Sequence, residues 1–217
     1  MTRVKVCGIT SVEDALAAAA AGADALGFVF AESPRRVTPE AAATIVRALP
    51  PFVTTVGVLV DQDPRPILEV CPLDVIQFHG QETPEAMAAV AGVRRVKAFR
   101  VRSAADLERL ARYHEVADAL LLDAYAEHAL GGTGQTFPWT LAREAADRGL
   151  VAATDGRGAG APPLILAGGL TPENVAGAVV QVSPYAVDVS TGVEAAPGKK
   201  DPGKMVRFIR TVLCRAR

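Results

Sequence analysis

Eight short apolar runs, amphipathic segments between most of them, and repeated Thr-Pro helix starts predict an α/β protein: a single (β/α)8 barrel, a TIM barrel with a closed parallel sheet. The runs are VKVCGI, DALGFVF, VGVLV, DVIQFHG, RRVKAF, DALLLDA, PLILAGG and AVDVS. Their near-continuous apolar character means that both faces are covered, as for parallel strands under helices rather than a half-solvated antiparallel sheet. Eight such strands without an obvious linker favour closure over an open doubly wound sheet, and 217 residues suffice for one barrel.

The intervening segments support this order. After the first strand, SVEDALAAAAAG pairs Thr10 with Glu13 in a capping-box pattern, and Gly22 supplies a stop. Thr38-Pro39, Thr83-Pro84 and Thr171-Pro172 each put proline at a first helical position, where the N–H it lacks would have no partner anyway. Gly92 ends the helix TPEAMAAVAG, SAADLERLARY follows the fifth strand, and PENVAGAVVQV follows the seventh. One stretch breaks the rhythm. VAATDGRGAGAPP, at 151–163, reads as a flexible Gly/Ala/Pro-rich insertion, and because it runs from helix to strand it belongs to the bottom face of the barrel.

Composition narrows the classes of function. Half the residues are hydrophobic, 22% are charged, and the net charge is −1, so no basic excess points to nucleic acid or an anionic membrane. No apolar stretch approaches the roughly 18 residues of a bilayer span, and the N-terminus has no signal-type apolar region; the expectation is a cytoplasmic protein. Cys7, Cys71 and Cys214 make no CxxC pair, which argues against a disulfide framework or a zinc site.

In this fold the active site forms at the C-terminal ends of the strands. Cys7 ends the first strand, His79 the fourth and Asp123 the sixth; Gly168-Gly169 follow the seventh, and Ser190-Thr191-Gly192 the eighth, just past Asp188. Two glycine-containing turns after the last two strands predict a phosphate site of backbone N–H groups and hydroxyls. Asp123 reads either as a local cap or as a general acid whose carboxyl is raised by partial burial. Cys7 reads either as a small buried hydrophobe or as a thiol base made acidic by a nearby cation or by substrate. Arg35 and Arg36, in FAESPRRV, form either an exposed basic turn or a bidentate clamp for a carboxylate. His79 either orients substrate or is a structural histidine.

VKVCGIT, ADALGFVF, SPRRV, VIQFHG, LLLDA followed by GGTGQTFPW, LAGGLTPENV, and VDVSTGVE with PGKKD together resemble the phosphoribosylanthranilate isomerases of tryptophan biosynthesis, over nearly the whole chain. The resemblance implies an Amadori rearrangement of N-(5-phosphoribosyl)anthranilate to 1-(2-carboxyphenylamino)-1-deoxyribulose 5-phosphate, with no cofactor and a small-molecule phosphosugar as partner. It implies Cys7 as general base, Asp123 as general acid and Arg35, rather than Arg36, as the anthranilate-binding arginine. The substrate-binding set is then Arg35, His79, Gly168, Gly169, Asp188, Ser190, Thr191 and Gly192. Thr191 stands where a second serine is usual, the 151–163 insertion is longer than expected, and DAYAEHALGG leaves the contacts of the sixth loop open. Rivals are the indole-glycerol-phosphate synthase, which needs a mouth lysine acid and an N-terminal extension, and the histidine-pathway isomerase, which has aspartate in place of Cys7. A non-catalytic metabolite-binding barrel is a third reading. Monomer and homodimer both remain open.

Overall fold

The computed structural model describes residues 1–124 and 139–215. Strands β1 (Arg3–Cys7), β2 (Ala25–Val29), β3 (Thr54–Leu59), β4 (Val75–Phe78), β5 (Arg94–Val101), β6 (Ala119–Ala124), β7 (Leu164–Leu166) and β8 (Ala186–Val189) close into a parallel barrel in sequence order. Helices α1 (Val12–Ala21), α2 (Pro39–Ala48), α3 (Arg65–Val70), α4 (Pro84–Ala88), α5 (Ala104–Leu107), α6 (Trp139–Asp147) and α7 (Val175–Val182) alternate with them. After β8 the chain makes a small antiparallel hairpin, β9 (Glu194–Ala196) and β10 (Lys199–Lys200), which the apolar pattern did not announce. Helix α8 (Pro202–Arg215) then packs against α1 and α7.

Strand alternation divides the apolar material into two cores. Inside the ring, Val56, Val75, Val96, Ala98, Ala119, Leu121, Ile165, Ala167 and Ala186 form the smaller one. Outside it, the alternate residues, among them Leu26, Phe28, Ile76, Phe78, Leu120 and Leu122, pack under the helices. Because successive side chains of a strand point to opposite faces, the strands need apolar residues at every position, which explains the unbroken runs.

Most helix starts follow the sequence signals. Thr38 and Thr83 cap α2 and α4, accepting hydrogen bonds from the backbone N–H of Ala41 and Ala86, with proline just inside. Gly22 closes α1 in the left-handed conformation, φ 100°. Three expectations need correction. The cap of α1 is Ser11, whose side chain accepts from Asp14 N; Thr10 donates instead to the Gly198 carbonyl, tying β1 to the hairpin. Helix α7 starts at Val175 rather than at Pro172, because Asn174 Oδ1 takes the Thr171 N–H and holds the intervening residues as turns. Helix α4 ends at Ala88, so Gly92, φ 79°, turns the chain toward β5 instead of capping the helix.

The 151–163 segment lies between α6 and β7, as expected. Its ends pair at Ala152 and Pro163, and Thr154 N bonds the Ser183 carbonyl. Arg157 pairs with Asp155 at 2.6 Å and donates to the Val182 carbonyl, so the segment is bonded onto the foot of α7.

One buried ion pair shapes the rim. Lys97 reaches from the outer face of β5 to Glu82 at 2.9 Å and to the Gly80 carbonyl at 2.7 Å, while Glu82 accepts from Gly80 N and Asp61 N. Both side chains are nearly inaccessible, and together they set the path of the loop that follows His79. Lys97→Met strands the Glu82 carboxylate without a counter-charge. The expected loss is about 3–5 kcal/mol of folding stability in urea unfolding, with a smaller loss when Glu82→Gln accompanies it.

Candidate active site

Residues Lys5 and Cys7 stand two apart on β1, so both point into the barrel, Cys7 in the layer nearer the mouth. Register sets Lys5 opposite Asp188 on β8 and Cys7 opposite Gly27 on β2. The missing side chain at Gly27 is what admits them: a Cβ there would lie 2.8 Å from Cys7 Sγ and 3.1 Å from Lys5 Nζ. Lys5 Nζ donates to Asp188 Oδ1 at 2.9 Å, both side chains being largely buried. Burial pushes the Cys7 thiol above its ordinary value; the Lys5 ammonium is the strongest opposing influence, and Asp188 adds to the upward push.

Above this pair, Gly8, φ 77°, lets Arg35 arch over the end of β1: a Cβ on Gly8 would come within 2.5 Å of Arg35 Cδ and 3.1 Å of Ser190 Oγ. The guanidinium grips Glu194 in a fork, Nε to Oε1 and Nη2 to Oε2, each at 2.7 Å, and Nη2 also reaches Thr191 Oγ1 at 3.3 Å. Glu194 is held from its other side by the fully buried Lys200 at 3.0 Å. The bidentate geometry expected of Arg35 is therefore present, with a carboxylate of the protein as partner and Thr191 beside it. Arg36 instead makes an exposed pair with Glu32.

A second group gathers three strands away around the ring. His79 Nε2 lies 3.4 Å from Asp123 Oδ2, close enough for charge interaction but not aligned as a hydrogen bond. Gln77, two residues back on β4, faces the other ring nitrogen, Nε2 to Nδ1 at 3.2 Å. Asp123 is about a quarter exposed, open to a ligand in the mouth.

The third group comprises the two turns. Gly168, φ 90°, and Gly169, φ 63°, bend the chain after β7, and Asn174 Nδ2 ties the Gly169 carbonyl. Gly192 lies in the 3-10 turn after β8, where a Cβ would overlap the Leu170 carbonyl, so the two turns are in backbone contact. Among the described residues, the N–H groups of Gly169 and Gly192 have no protein acceptor. Helix α7 begins only at Val175, so the ends of β7 and β8 present turns rather than a helix N-terminus to the mouth.

The ten residues of the expected catalytic and substrate-binding set thus lie at the C-terminal ends of strands or in the loops just after them. Gln77, Lys5, Glu194 and Lys200 were not singled out. Alternation in VKVC already puts Lys5 on the same side as Cys7; Glu194 and Lys200 gave no such local signal, because a hairpin brings them back. The segments GGTGQTFP and YAEHALGG lie outside the described residues. Among the described residues, no group of three or more His, Cys, Asp and Glu side chains is arranged to hold a metal ion.

Residues 4–211 match the family model described as N-(5'-phosphoribosyl)anthranilate (PRA) isomerase. The chain belongs to that isomerase family. A curated isomerase of Geobacter sulfurreducens is 54% identical over 214 residues, covering 97% of this chain and 98% of the relative. The crystal structure of the Thermotoga maritima isomerase superposes with a TM-score of 0.86 at 42% identity, covering 99% and 100% of the two chains. A further isomerase structure, in complex with reduced 1-(o-carboxyphenylamino)-1-deoxyribulose 5-phosphate, gives 0.83 at 39% identity, with the same coverage. Family membership separates the chain from the other phosphosugar barrels weighed from sequence, and its isomerase barrel is the closed sheet described above.

Two outcomes follow from these contacts. Gly192→Ala forces the β7 and β8 turns apart and is expected to cost about 1–3 kcal/mol in thermal or urea unfolding. Burial alone would raise the Glu194 carboxyl, but hydrogen bonds from Arg35 and Lys200 outweigh it and hold the group below its ordinary value of 4.5. Its stabilisation is therefore complete above that value and is lost as pH falls through the lower folded value. Glu194→Gln should remove that part of the acid limb in a stability-versus-pH series.

Proposed function

We propose that this isomerase performs the Amadori rearrangement of N-(5'-phosphoribosyl)anthranilate in tryptophan biosynthesis with Asp123 as general acid and Cys7 as general base. The single observation that supports the roles best is the convergence of a buried thiol beside a cation and a partly exposed carboxyl beside a histidine at one barrel mouth. Asp123 gives its proton to the ribose ring oxygen; the ring C–O bond breaks, and the nitrogen lone pair forms the C1′ iminium. The cationic iminium acidifies the C2′ hydrogen, and the Cys7 thiolate removes it. The C–H electrons form the enolamine, which tautomerises to the ketone by gaining a proton at C1′ and losing one from the C2′ hydroxyl. Ring opening and proton transfers within one molecule account for every step, and no outside electron donor or acceptor enters.

Anchoring fits the two anionic ends of such a substrate. The turns containing Gly168, Gly169, Ser190, Thr191 and Gly192 offer N–H groups and hydroxyls to the phosphate. Arg35, fixed along one edge by Glu194, turns its remaining N–H groups to the anthranilate carboxylate. His79 orients the Asp123 carboxyl, and Asp188 acts through Lys5. This reading takes the chain as one barrel domain with 151–163 as an insertion at its base, in the cytoplasm, where a charged phosphosugar is retained. Both a monomer and a homodimer suit it; the Thermotoga maritima relative is described as dimeric and also in monomeric form.

Turnover is read as the decay of anthranilate-type fluorescence after adding protein to freshly made substrate. Cys7→Ala and Asp123→Asn should each lower kcat by about 10²–10⁴-fold with little change in KM. Full activity in either variant would remove that residue from its role, and an inactive wild-type protein would overturn the function.

A further inference from the structure

We infer that Lys5 is the electrostatic partner of the Cys7 thiolate, a positioning residue that favours the charged form of the base against burial while Asp188 anchors the lysine. This rests on the reading of Cys7 as the base and names what makes that role possible.

An ammonium buried this deeply is costly unless its charge is needed. Lys5 is 4% exposed, inside the ring, below the mouth, where the other strands supply mostly valine, alanine and isoleucine. A buried Lys–Asp pair contributes little net stability over apolar residues of the same size, so stability alone does not explain it. Its neighbours point to the thiol. Lys5 Nζ and Cys7 Sγ both lie about 3 Å from one point, the space left by Gly27, and they rise from the same face of one strand.

Charged groups from several elements surround the thiol. Lys5 comes from β1, Asp188 from β8, Arg35 from the loop after β2, Glu194 from β9 and Lys200 from β10. Asp188 pairs with Lys5, Glu194 is shared by Arg35 and Lys200, and Asp14 of α1 accepts the Lys200 backbone N–H, so Lys5 is the cation on the thiol's own strand. Although burial works to lower it, Lys5 is held at about 12 by Asp188 and Cys7, so it is charged throughout the working range. On the thiol, burial and Asp188 oppose ionisation while Lys5 and, more weakly, Lys200 favour it.

The test is the pH dependence of Cys7 alkylation by iodoacetamide, followed by mass spectrometry of the Cys7 peptide, in wild type, Lys5→Met and Lys5→Arg, beside kcat and KM across the same pH range. Lys5→Met should move the Cys7 titration upward by about one unit or more, about tenfold less thiolate at a given pH. The rising limb of kcat should move with it while KM changes little, and Lys5→Arg should recover much of the shift. An unchanged Cys7 titration in folded Lys5→Met overturns the proposal. Should that variant fail to fold because Asp188 is left unpaired, Lys5→Met is compared in an Asp188→Asn background, where the same absence of a shift overturns it. A shifted titration with full turnover in Lys5→Met and Cys7→Ala instead overturns the base assignment on which the proposal rests.

Discussion

Closure of the sheet between β1 and β8 is the constraint on which the mouth depends. Parallel pairing of these strands sets Lys5 opposite Asp188 and leaves Cys7 one layer higher, beside the Gly27 gap. It also brings the turn after β8 under the arch of Arg35, because Gly8 has no Cβ to hold the arginine off. Without closure, the first and last strands would be opposite edges of an open sheet: Lys5 would stay beside the thiol on β1 but lose Asp188, and the turn after β8 would no longer reach the mouth.

Around that seam the protein arranges charge in two nested layers. The inner pair, Lys5 and Asp188, is nearly dry; the outer set, Arg35, Glu194 and Lys200, sits over it and opens to the mouth through the guanidinium. The outer set is fastened from below by Asp14 of α1, which accepts the Lys200 backbone N–H, so helix packing and site geometry are coupled. The β9–β10 hairpin is therefore part of the site: it delivers Glu194 and Lys200 to a place that no barrel strand reaches.

The Asp123 side of the mouth uses other means. Asp123 is placed by the pairing of β6 with β5 and faces His79, whose ring is oriented by Gln77 from below and whose following loop is held by Glu82 and Lys97 from outside the barrel. The two groups thus have different surroundings, a buried thiol among cations and a more open carboxyl beside an imidazole.

The strand count, parallel order and closed barrel were legible because apolar runs and helix starts are local signals that burial reads in a fixed way. Cys7, His79, Asp123 and the glycine turns were legible as candidates because the fold puts strand ends at one mouth, and the resemblance in their motifs gave them roles. Helix boundaries near Thr10 and Pro172 were less so: Ser11 took the Asp14 N–H, the remote Gly198 carbonyl took the Thr10 hydroxyl, and Asn174 took the Thr171 N–H. Lys5, Glu194 and Lys200 became part of the site only in three dimensions. Sequence determines which side of a strand a charge faces; what charge it meets is decided when distant strands are brought together, since Coulomb interactions depend on distance in space and on exclusion of water, neither of which a linear chain specifies.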